Sequence, residues 1–173
     1  MSQVDRWTEA ANLFDDRVGT IAVTQWTAPT PCSEWTVEDL VNHVAGTHVF
    51  VGSLIGLPKT PAKWREVHAA MASLLRDDDA LLGTAEVPGL GEMSKSAILD
   101  ICINDMLIHT WDLSRAIGAE EALPADAVDA CYEWLCALPE AVIRAPNRYG
   151  DAAAVATDAD VQTRMLAYAG RVP

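Results

Sequence analysis

The chain has 173 residues, half of them hydrophobic and 21% charged, which is a globular composition with enough length to bury a core. A formal net charge of -13 and a pI of about 4.5 exclude the phosphate-neutralising surface of a nucleic-acid-binding protein and disfavour an anionic membrane partner. The cysteines, Cys32, Cys102, Cys131 and Cys136, form no CxxC pair and no disulfide framework, so reduced thiols and a cytoplasmic location are expected. No leader pattern opens the chain, and no apolar stretch approaches the ~20 residues of a membrane span.

Residues 4–23 carry Trp7, Ala10, Ala11, Phe14, Val18 and Ile21 at helical spacing, which predicts a first helix. Pro29 and Pro31 then make residues 27–35 a rigid extended connector. Thr36 is a good N-cap with Asp39 three positions on, so a second helix is expected over residues 37–54, ended by Gly56 and Pro58. Trp64, Val67, Met71, Leu74 and Leu75 predict a third helix over residues 61–82. Residues 83–91 hold three glycines and read as a loop. A fourth helix is expected from about residue 94 to 117, closed by Gly118.

Pro124 opens a fifth helix that runs to about residue 143, with Pro139 kinking or breaking it. Residues 146–160 read as a loop and 161–169 as a short final helix closed by Gly170. No segment has the strict alternation of a half-buried strand. The expectation is an all-α protein of one domain, residues 1–173, built on a four-helix bundle.

The fourth helix is apolar almost all round, the mark of a central buried helix, yet Asp105 and His109 sit in its middle. They are at i and i+4, so both side chains reach one point, and a buried carboxylate is costly unless it is paired or bound to metal. His43 lies on a mostly apolar row of the second helix with Leu40, Thr47, Phe50 and Leu54, and is expected to look inward. Two histidines and one carboxylate from two helices would leave a coordination position open, the logic of a catalytic metal site. A plain hydrogen-bonded Asp–His pair and a satisfied core histidine are the competing readings.

The flanking residues have two readings each. Asp112 either orients a ligand histidine through its second nitrogen or pairs with Arg115. Trp35 and Trp111 either line a pocket or pack the core, as does Trp26. Cys32 sits among Glu34, Glu38 and Asp39, which disfavour a thiolate, so packing or turn formation is expected of it. Arg144, Arg148 and Arg164 are weak candidates for gripping an anionic substrate. His48 and His68 are expected on a helix face or the surface.

Three blocks carry a family resemblance. TPCSEWTVEDLVNHV at residues 30–44 resembles the opening motif of a DinB-like family abundant in actinobacteria. DMLIHTWDL at 105–113 resembles its second motif, and ATDADVQTRMLAYAGRVP at 156–173 its tail. That family is related to the N-terminal domain of mycothiol-dependent maleylpyruvate isomerase, and the likeness covers nearly the whole chain. It implies a four-helix bundle with additional C-terminal helices, often dimeric. It also implies a divalent metal, zinc first with nickel or manganese as alternatives, on His43, Asp105 and His109. Asp105 departs from the Glu that the isomerase relatives often carry, which shortens the reach to the metal. Thr110 stands where many members have Gly.

The resemblance further implies a small-molecule thiol, possible mycothiol use as co-substrate and an electrophilic acceptor, in a thiol transferase or a relative of one. The alternative reading is a non-catalytic module for a small ligand or a protein partner, with the metal site vestigial or absent.

Overall fold

A computed structural model describes residues 1–58, 63–146 and 148–173. The chain divides into two compact units, Met1–Glu121 and Ala122–Pro173.

The first unit is a four-helix bundle. Helix α1 (Gln3–Thr20) begins at Ser2, whose hydroxyl and the Asp5 carboxylate exchange hydrogen bonds with each other's backbone N–H groups. Its buried stripe, Trp7, Ala10, Ala11 and Phe14, is the one its spacing predicts. A single 3-10 turn, Val23–Gln25, follows, and the Gln25 amide donates to Ile117 O at 2.9 Å. Helix α2 (Val37–Ile55) starts at the expected Thr36, in a full capping box with Asp39, and ends at Gly56 with φ +116°.

Helix α3 spans Trp64–Leu74; the expected start at Pro61 lies outside the described residues. It stops short of residue 82 because Asp77, Asp78 and Asp79 follow. The Asp77 carboxylate accepts from Asp79 N at 3.0 Å, a local bond that competes with helix. Helix α4 (Lys95–Ile117) begins at Ser94, whose Oγ accepts from Ala97 N, and ends at Gly118 with φ +70°. Buried residues run along it on every side from Ile98 to Ser114. α4 packs against α1 and α2, and α3 closes the ring between those two.

The expected loop at residues 83–91 is instead part of a hairpin. Strand β1 (Thr84–Val87) pairs antiparallel with β2 (Gly91–Ser94), from Thr84 opposite Ser94 to Val87 opposite Gly91. Each strand is four residues long and only Val87 is buried, too little for alternation to register in the sequence.

The second unit holds helix α5 (Ala125–Ala137), the short α6 (Glu140–Ile143) and α7 (Val161–Tyr168). Pro139 breaks the expected single helix outright and becomes the residue before α6. Gly170, at φ +83°, brings its Cα against the Gly150 backbone; a Cβ there would stand 2.9 Å from Gly150 Cα. The fold is thus all-α in its architecture, a DinB-like bundle with additional C-terminal helices.

The start of α2 fixes the position of His43 two turns on. Thr36→Ala removes the hydroxyl of the capping box and should cost about 1 kcal/mol of unfolding free energy. Urea unfolding of the variant beside the parent measures it, and Thr36→Ser should restore most of the loss.

Candidate metal centre

α2 and α4 bring the motif residues together. His43 Nε2–H donates to Asp105 Oδ1 at 3.1 Å, and His109 Nε2 lies 3.6 Å from the same oxygen. One ligand atom from each of the three residues falls within 4.8 Å of the others. The His43 and His109 rings meet edge-on, 4.9 Å between centroids.

His43 does not look straight into the core. The buried stripe of α2 is Val37, Leu40, Val41, Val44, Ala45, His48, Val51 and Ile55, and Phe50 is 44% exposed, so the row that carries His43 borders the stripe. The His43 side chain is 35% exposed, Asp105 21% and His109 9%, which leaves the cluster open on the α2 side.

The far side of His109 is closed. Its Nδ1–H donates to Asp112 Oδ2 at 2.9 Å, and Asp112 is fully buried. This bond fixes the ring and its tautomer. A neutral His109 that donates from Nδ1 presents the lone pair of Nε2 to Asp105 Oδ1. Two lone pairs 3.6 Å apart call for a proton or a cation between them. Asp105 Oδ2 is buried with no hydrogen-bond partner among the described residues. Burial drives the Asp105 carboxyl pKa upward, but His109 and His43 together outweigh it and hold the group below the usual carboxylate range. The donor set of two imidazoles and a carboxylate therefore fits a divalent ion.

Trp35 roofs the cluster, its ring centroid 4.6 Å from that of His43 and 5.6 Å from that of His109. Trp111, two residues from His109, faces another way and is buried beneath the Arg115 guanidinium, 4.2 Å from its ring centroid. Arg115 makes a two-point pair with Glu121 at 2.9 and 2.8 Å. In the second unit Arg144 pairs with Glu140 and packs on Tyr168, and Arg164 packs on Tyr132.

One sequence expectation is corrected. His48 is not on a surface face. It is fully buried between Trp7 and Trp64, with Nδ1–H donating to Val44 O at 2.8 Å. His68 is half-buried and stacks on Trp64, 5.2 Å between centroids. A histidine reads as polar in a periodicity argument, so this aromatic cluster is hidden in the sequence.

Cys32 also has more than a turn-forming role. Its Sγ donates to Asp112 Oδ2 at 3.2 Å and lies 3.7 Å from His109 Nδ1. The sequence weighed only the acidic neighbours of Cys32 in the chain; its partners are 77 and 80 residues away. The arrangement is not a Cys–His–Asp catalytic triad, in which thiol and carboxylate take opposite ring nitrogens; here both face Nδ1. Among the described residues, Cys102, Cys131 and Cys136 are in no disulfide.

The comparisons agree with this architecture. The family model for the mycothiol maleylpyruvate isomerase N-terminal domain matches residues 7–173, and the chain belongs to that family. Uncharacterised proteins from two strains of Mycobacterium tuberculosis are each 34% identical over 117 residues, which is 63% of this chain. The match spans 64% of the length of those relatives. No solved structure matches significantly. Among the described residues, no helix is long and apolar enough to cross a membrane.

Burial pushes the His48 pKa down from 6.5 to about 4. The unfolded chain therefore binds this proton more readily between those values. Its contribution to stability is complete above pH 6.5 and is lost as the pH falls towards about 4. His48→Phe should flatten the acid dependence across that window, measured as urea midpoints; a slope equal to the parent's would place the acid sensitivity elsewhere.

Proposed function

We propose that this protein is a metal-dependent enzyme acting on a low-molecular-weight thiol of the mycothiol kind, which it transfers to or exchanges with a small electrophile. His43, Asp105 and His109 would hold the ion, zinc first and nickel or manganese as alternatives. The observation that carries the reading is the convergence of two imidazole nitrogens and one carboxylate oxygen within 4.8 Å, in a chain of the mycothiol maleylpyruvate isomerase N-terminal domain family.

When bound, the ion would supply Lewis acidity that keeps a thiol ionised at neutral pH. The remaining roles belong to the chain. Asp112 holds His109 in the tautomer that offers Nε2 to the open side. Trp35 gives that side an apolar wall that sheds water from a bound thiol. His43, the most exposed of the three, stands where a substrate enters. Cys102, Cys131 and Cys136, in no disulfide, suit a reducing cytoplasm, where a thiol co-substrate persists.

Metal per chain, measured by plasma mass spectrometry on protein purified without chelator, tests the reading. One divalent ion per chain is expected at His43, Asp105 and His109 in the parent, so His43→Ala and His109→Ala should each carry at least one ion fewer at unchanged helix content. Asp112→Asn should retain the ion but weaken its binding about 10-fold or more, by loosening His109. A parent that takes up no zinc, nickel or manganese on reconstitution would sink the enzymatic reading.

A further inference from the structure

His109 has a second nitrogen, and the groups around it make a donor set of their own. Cys32 Sγ, His109 Nδ1 and Asp112 Oδ2 lie within 4.8 Å of one another, at 3.2, 3.7 and 2.9 Å pairwise. The thiol is placed by a tight turn. Thr30 N–H donates to Trp35 O at 3.1 Å, Trp35 N–H to Cys32 O at 3.1 Å, and Cys32 N–H to the Thr30 hydroxyl at 3.2 Å. Glu34 takes a left-handed φ of 72° to close the turn. Val37 N–H donates to Ala28 O and Glu38 N–H to Trp26 O, both at 3.0 Å, which ties the turn to the start of α2. Cys32 is partly exposed, whereas His109 and Asp112 are buried on α4.

We propose that Cys32, His109 Nδ1 and Asp112 form a second cation site, selective for a thiophilic divalent ion such as zinc or cadmium. It lies across the imidazole from the His43–Asp105 group and does not depend on that group being filled. A thiolate, an imidazole and a carboxylate are a softer set than two imidazoles and a carboxylate, so the two faces of His109 sort ions by softness.

The spacing suits it. Zinc bonds of about 2.3 Å to sulfur and 2.0–2.1 Å to nitrogen or oxygen place tetrahedral donors about 3.3–3.6 Å apart. Cys32 stands within a few tenths of an ångström of those separations, at 3.2 and 3.7 Å, and His109 and Asp112 need part by only about half an ångström. Binding releases the thiol proton of Cys32 and shifts the ring proton of His109 from Nδ1 to Nε2, which faces Asp105 Oδ1; it leaves the ring only when the other face is also filled. With both faces occupied, the ring would bridge two ions as imidazolate.

The test is a cadmium titration of the metal-stripped full chain, followed by the ultraviolet thiolate-to-cadmium absorption band and by ions bound per chain. The parent should develop the band. Cys32→Ser should develop none and take up one ion fewer, with Cys32→Ala and circular dichroism as a check on folding. His43→Ala should keep the band, so loss of the first group and loss of the second are read separately. Cys136→Ser, which removes the exposed thiol, should also keep it. A band that survives in Cys32→Ser, that disappears in Cys136→Ser, or that never forms in the parent overturns the proposal.

Discussion

A carboxylate in the middle of the most buried helix has to be answered, and the way Asp105 is answered governs the layout of the first unit. Taking an ionised carboxylate out of water costs several kcal/mol, roughly, unless positive charge or donors meet it. α4 supplies one answer from its own next turn, His109, and α2 supplies the other, His43. For His43 to reach Asp105, α2 must be turned so that its apolar stripe packs on the bundle while the adjacent row borders the cluster. That turn leaves the cluster partly open rather than sealed in the core.

The two sides of the His109 ring are unlike. Nε2 faces the accessible point shared with His43 and Asp105, whereas Nδ1 faces the buried Asp112 carboxylate and the Cys32 thiol. The bond to Asp112 holds the ring against rotation, so Nε2 stays aimed without help from a ligand. The connector before α2 then performs two tasks at once. Its turn carries Cys32 to the closed side and Trp35 over the open side.

Behind the cluster, the bundle keeps a second polar histidine in an aromatic setting. His48 packs against Trp7 and Trp64, and Trp64 is itself pinned by its indole N–H to Asp15 at 2.8 Å. Because Nδ1 of His48 is committed as a donor to Val44 O, Nε2 remains an acceptor in the interior, close enough to Asp105 for their charges to interact. The Asp105 carboxylate favours a charged His48, but burial outweighs that attraction and keeps the ring neutral, so the charge that answers Asp105 comes from His43 and His109.

The sequence by itself determined the helices and the Asp105–His109 pair on α4. Apolar spacing, the caps at Thr36 and Ser94 and the stops at Gly56 and Gly118 are local signals, read over a turn or two of chain. Asp105 and His109 were legible together because i and i+4 always share a helix face. What tertiary structure alone decided are the relations that depend on the rotation of one helix against another. These are the border position of His43, the burial of His48 and the arrival of Cys32 at Asp112 across 80 residues. Periodicity reports which face of a helix is apolar, but not what stands opposite it. A thiol in a proline-rich turn has no periodicity at all, so only the folded chain brings it to His109.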